Sequence, residues 1–307
     1  MPWERATIEK LLFAELRERR AARRWRLLRS LLWMGLVGAL VWVLASEQLP
    51  SATPSSAHTA MVAIKGEISD AGEGSAEYIL PALRSAMQDK GAQALVLLIN
   101  SPGGSPVQAG LIHDEIRRLR ALHDKPVYAV VEESCASAAY YIAAGADRIY
   151  VDKASLVGSI GVLINGFGFT GTLDKLGVER RLLTAGENKG FLDPFSPQSD
   201  AQRAHAQRML DQIHQQFIGV VRQGRGERLK ETPEMFSGLF WTGEQAVQLG
   251  LADGLGSLDM VAREVVKAEK LVDYTNKENI AERFAKRLGA SVGQGAMAAL
   301  RGGAGWR

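Results

Sequence analysis

Residues 94–105 read Ala-Leu-Val-Leu-Leu-Ile-Asn-Ser-Pro-Gly-Gly-Ser, and residues 127–139 read Val-Tyr-Ala-Val-Val-Glu-Glu-Ser-Cys-Ala-Ser-Ala-Ala. Each begins with a short apolar run, too short for a helix of average length and closed by polar or small residues, and each runs into a helical pattern, at 106–122 and 136–144. Working outward, the same alternation recurs. A short apolar run at 61–64 precedes a helical pattern at 78–88, and another strand is expected at 148–151. A long helix at 199–222 opens on Ser199 with Gln202 three residues on, the signature of a capping box. Further helices are expected at 241–249 and 258–271. Strands alternating with helices predict an α/β fold whose parallel sheet is joined by crossover helices.

The chain has 307 residues and a formal net charge of +3, and that average is misleading. Residues 1–30 hold nine Lys/Arg against four Asp/Glu, a net of +5, so the remainder is slightly acidic. After Arg29 no basic residue appears until Lys65, and residues 31–45 are uncharged and rich in Leu, Val and Trp. A buried core helix, a cleavable signal peptide and an uncleaved anchor all fit a run of this length. The dense flanking arginines disfavour the first, and the long basic lead disfavours the second. The reading taken is a basic cytoplasmic segment at 1–29, a transmembrane anchor at 30–46 and a Pro/Ser tether at 47–59. The main folded domain then occupies 60–271 on the far side of the membrane, followed by a tail at 272–307. The basicity thus orients the chain toward lipid headgroups, and nucleic acid is not expected as a partner. A single cysteine, Cys135, excludes an internal disulfide and any multi-cysteine metal site.

Strand ends in such sheets are where sites form. The turn at 100–105 reads either as a plain strand-to-helix connection capped by Ser105, or as a loop whose glycines leave backbone N–H groups free to face a ligand oxygen. It lacks the Gly-x-x-x-x-Gly-Lys-Ser/Thr pattern of a phosphate loop. At the second strand end Ser137 sits among alanines at a strand-to-helix junction. There its hydroxyl would be exposed and the next N–H would face a developing oxyanion; close helix packing explains the same small residues. Cys135 reads as a small buried hydrophobe or, less simply, a thiol nucleophile. A nucleophilic serine needs a base. None of the five histidines falls between His123 and His205, and a surface helix accounts for His205 and His214. Lys189, in the glycine-flanked loop Ala185-Gly-Glu-Asn-Lys-Gly190, is the alternative, against a solvated surface lysine.

The set Asn100-Ser-Pro-Gly-Gly-Ser105, Ala136-Ser-Ala-Ala-Tyr-Tyr141, Leu156-Val-Gly-Ser-Ile-Gly161 and Lys189 resembles the signal peptide peptidase A family, in its short bacterial form. These are membrane-anchored Ser/Lys proteases of the ClpP/crotonase-type fold. The resemblance implies Ser137 as nucleophile and Lys189 as general base. It also implies Ser159 as the group orienting the lysine, and Gly103 and Ala138 as oxyanion-hole donors. It implies no metal or cofactor, peptide substrates that are chiefly released signal peptides, location in the bacterial inner membrane, and a homo-oligomer in which serine and lysine meet across subunits. Where the family usually carries two glycines after the nucleophile, this chain has Ala138 and Ala139. A crotonase-like acyl-CoA enzyme and a non-catalytic tethered scaffold are the competing readings.

Overall fold

The computed structural model describes residues 25–38 and 56–276. The chain divides into two units, one of which is Pro54–Asn276. Helix α1 (25–38) belongs to the other. No helix among the described residues is long and apolar enough to cross a membrane; of the expected span at 30–46, residues 39–46 lie outside the described ones, as does the tail from 277 onward.

The larger unit is a mixed α/β structure built in chain order around one sheet. Its first half comprises β1 (His58–Lys65), α2 (Ala76–Gln88), β2 (Ala92–Ser101), α3 (Pro106–Leu122), β3 (Val127–Ala136), α4 (Ala138–Ala143), β4 (Arg148–Val151) and β5 (Leu156–Gly158). There follow α5 (Thr170–Leu176), α6 (Asp200–Arg225), β6 (Phe240–Thr242), α7 (Gly243–Gln248), β7 (Gly254–Leu255), α8 (Leu258–Met260), which runs into a π turn at Val261–Val266, and β8 (Leu271–Asp273). The strands order as β6-β5-β3-β2-β1-β8, with β4 and β7 extending from β3. Every pairing is parallel except β5 with β6.

The reason lies in β2. Leu95, Leu97 and Ile99 enter one core cluster with α2, α3 and α4, while Val96 and Leu98 enter a second with Val130, Tyr150 and Val261. A strand apolar on both faces is stable only with cover on each, which crossover connections supply. The helix α3 begins where expected because Ser105 caps it, accepting from the Gln108 N–H, and Pro106 fills the first turn. The capping box of Ser199 and Gln202 is formed at the head of α6.

Three boundaries differ from the sequence expectation, and the first two matter for the site. Residues 132–136 continue β3 where the pattern predicts a loop and the start of a helix. The strand changes partner midway, pairing β4 through Val131 and β5 from Ser134. Residues 241–242 belong to β6, because Trp241 pairs opposite Val157. At the other edge the expected long helix from 258 ends in a π turn at Val266, with Lys267 left-handed, and the chain then pairs as β8 on β1.

Candidate active site

The exchange of partners along β3 opens a cleft at its C-terminal end. Ser137, the residue between β3 and α4, is held at φ 52°, ψ −122°, a conformation that an L-residue keeps only when its surroundings impose it. The imposition is visible. The Ser137 N–H donates to the Gly158 carbonyl at 2.8 Å, and its own carbonyl accepts from the Tyr141 N–H at 3.0 Å, the first bond of α4. Ala138, the first residue of that helix, has no acceptor one turn back for its N–H.

Opposite lies the double-glycine turn. Gly103 has φ 105°, and a Cβ there would stand 2.7 Å from the Ser137 Cβ and 3.0 Å from the Ala138 nitrogen. Gly104 is as tightly placed, its missing Cβ falling 2.1 Å from the Ile68 carbonyl oxygen. Only glycine lets this turn lie against the serine. The Gly103 N–H donates to the buried Ser101 hydroxyl at 3.2 Å, and Gly104 faces the cleft.

The third wall is the turn after β5. Ser159 also carries a positive φ, 51°. Its N–H donates to the Leu239 carbonyl at 2.8 Å, and its carbonyl accepts from the Gly161 N–H at 2.9 Å. Ser137, Ala138 and Ser159 therefore line one cavity of about 560 Å³, closed by Tyr141, Phe217 and Leu163. Tyr141 stands on Phe217, with ring centroids 5.2 Å apart, and behind it His113 is buried with its Nε2 unpartnered. Burial holds the His113 pKa below the ordinary histidine value, so an uncharged ring backs the apolar floor. Cys135 is fully buried in β3, and burial pushes its thiol pKa up, which makes it a packing residue and not a nucleophile.

Lys189 is not brought to this cavity. It lies in the turn where its own N–H donates to the Gly186 carbonyl, its side chain is exposed, and it forms no ion pair among the described residues. It belongs to a long arm: from residue 161 to residue 216 no residue is buried. Leu163, Phe167, Leu176 and Leu183 are exposed along it, Leu183 by 97%. One contact in this region has no counterpart in the sequence reading. His214 Nε2 lies 3.1 Å from the Ile160 carbonyl oxygen, beside Ser159. Its only sequence signal is that it shares one face of α6 with Phe217 and Ile218, the residues that the helix buries.

Residues 120–273 match Peptidase family S49. The chain belongs to that family. Among its relatives, a protein of Enterococcus faecium named as a signal peptide peptidase SppA is 31% identical over 70% of this chain and 64% of its own length. Protease 4 of Haemophilus influenzae is 30% identical over 70% of this chain and 35% of its own. A Brucella melitensis protein named as the Na(+)/H(+) antiporter NhaA is 49% identical over 57% of this chain. The match takes up 24% of that protein. This S49 chain thus spans less than two thirds of the length of these relatives, and the S49 match at residues 120–273 falls within the unit that carries the cleft.

Proposed function

We propose that this S49 chain is a membrane-anchored serine endopeptidase of the ClpP/crotonase type that degrades released signal peptides and other unfolded segments. The observation that carries the reading is Ser137, held at φ 52° at the head of α4 with a cavity in front of it and a double-glycine turn against its Cβ. In this reading neutral Lys189 takes the Ser137 proton, and Oγ attacks a peptide carbonyl. The oxyanion is received by the Ala138 N–H and by the Gly103 N–H, which must leave the Ser101 hydroxyl to do so, and Ser159 orients the amine. The lysine then protonates the leaving amine, and water releases the acyl group.

An exposed Lys189 and an arm with exposed leucine and phenylalanine side chains and no buried residue are what a chain would present if its dyad were completed by a second copy, which would also desolvate the amine. The apolar cavity floor of Tyr141 and Phe217 suits small or apolar side chains, as in the core of a signal peptide. The basic segment and the apolar run at 30–46 would anchor the chain in the inner membrane with the peptidase outside the cytoplasm.

The test uses the full chain in detergent with an apolar peptide and a fluorophosphonate probe. Wild type is expected to hydrolyse the peptide and to be labelled at Ser137. Ser137→Ala loses both, and Lys189→Ala loses at least about a hundredfold of each. Equal hydrolysis in all three proteins, or labelling that persists in Ser137→Ala, defeats the assignment.

A further inference from the structure

The wall of the cleft that carries Ser159 is fastened on two sides, and only one fastening borders the sheet. Gly238 and Leu239 hold it from the turn that leads into β6: the Ser159 N–H donates to the Leu239 carbonyl, and a Cβ on Gly161 would sit 3.1 Å from the Gly238 Cα. The Ile160 carbonyl in the middle of the turn is met by a side chain from another element: His214 holds it from α6 at 3.1 Å. A carbonyl only accepts, so the bond fixes the proton on Nε2. Gly161, Val162 and Leu163, which follow at once, line the cavity. The peptide plane that His214 grips is the one that aims them.

The position of His214 on its helix gives this bond a second meaning. Through residue 216 nothing on α6 is buried, and from Phe217 the helix enters the core. Ile213, Gln216 and Phe217, which flank His214, also line the cavity. Toward its N-terminus α6 meets the loop that bears Lys189, with His205 edge-on to Phe191 at 5.6 Å. The helix therefore joins the segment bearing Lys189 to the wall bearing Ser159, and His214 is the polar link at the joint.

We infer that His214 is a positioning residue, which holds the Ile160–Gly161 peptide so that the cleft wall accepts an extended peptide. The inference rests on the peptidase reading, and its test is chosen to fail separately from it. In a Ser137→Ala background of the full chain, binding of a fluorescently labelled Leu/Ala-rich peptide is measured by anisotropy for His214, His214→Phe and His214→Gln. The phenylalanine keeps the ring and loses the donor; the glutamine keeps a donor. Kd is expected to rise about fivefold in His214→Phe, as for the loss of one hydrogen bond. His214→Gln should return to within about twofold of the parent, with thermal midpoints alike in all three. Equal Kd values for the Phe variant and its parent overturn the inference while leaving the peptidase reading intact. So does a rise in Kd matched by a fall in thermal midpoint that glutamine does not rescue, because that is a packing effect. No binding to the parent overturns both.

Discussion

Four non-glycine residues among those described have a positive φ: Ser137, Ser159, Leu192 and Lys267. Two of the four face the same cavity, from strands that pair with each other. Each such residue costs about 1–3 kcal/mol, so their placement side by side is held by the surrounding hydrogen bonds and not by local preference. Gly103 is the point where this arrangement tolerates least. In Gly103→Ala a methyl meets the Ser137 Cβ and the Ala136 carbonyl at 2.7 Å, on a backbone at φ 105°. The variant is expected to lose about 2 kcal/mol or more of stability in urea titration, together with probe labelling of Ser137. Gly110→Ala in α3 is the control. Its new methyl meets nothing within 4 Å, and removing a helical glycine should raise stability by about 0.5–1 kcal/mol with labelling unchanged.

At the scale of elements, the end of α6 is bolted to the sheet by a buried charge. Arg225, 1% exposed, donates to the Gly250 carbonyl and to Asp253, which also accepts from Arg228 and from the Ile149 N–H. Burial opposes ionisation of Asp253, but Arg225, Ile149 and Arg228 outweigh it and hold its pKa below the ordinary 3.8. A carboxylate depressed in the folded state stabilises above its unfolded pKa, and that contribution disappears as pH falls through the folded value. Urea midpoints of wild type should therefore fall more steeply than those of Asp253→Asn once the pH drops past 3.8. Arg225→Ala leaves Asp253 only the more exposed Arg228 and the Ile149 N–H and should cost about 3 kcal/mol at neutral pH.

The elements legible in sequence were those with strong local signals. These were β2 with its unbroken apolar run, α3 with Ser105 and Pro106, and α6 with its capping box. The Ser137 junction was legible as a position but not as a conformation. β5, β6 and β8 were not legible, since three residues carry no periodicity and exist only through the strands they pair with. The helix α5 was missed because none of its residues is buried, so no apolar face marks it. His214 reads in sequence as a helix-surface residue because its partner lies 54 positions away.

Taken as a whole, the larger unit is a packed sheet with a long unburied arm, and the proposed dyad divides between them. If Ser137 and Lys189 meet across subunits, mixing inactive Ser137→Ala and Lys189→Ala chains before assembly should restore activity. Random pairing puts an intact serine beside an intact lysine at about a quarter of the sites. Recovery near that level, with specific activity that rises with protein concentration, is the expected outcome. Recovery indistinguishable from zero, from chains shown to co-assemble, places the two residues within one subunit and refutes the divided dyad.

The last strand carries a different kind of consequence. β8 pairs with Thr59, Ala60 and Met61, and beyond it the Tyr274 N–H donates to Met61 while its hydroxyl meets His58 and Asp89. Those few residues are a selvedge: they finish the border of a woven sheet whose next thread is the apolar β1. A chain cut after Ala268 would keep every residue that lines the cleft, yet leave the ladder of β1 open to any strand of another molecule. Such a truncation is expected to express as aggregate, measurable by light scattering against a chain ending at Asn276. The boundary chosen for a soluble fragment thus decides whether the peptidase stays dispersed, independently of its chemistry.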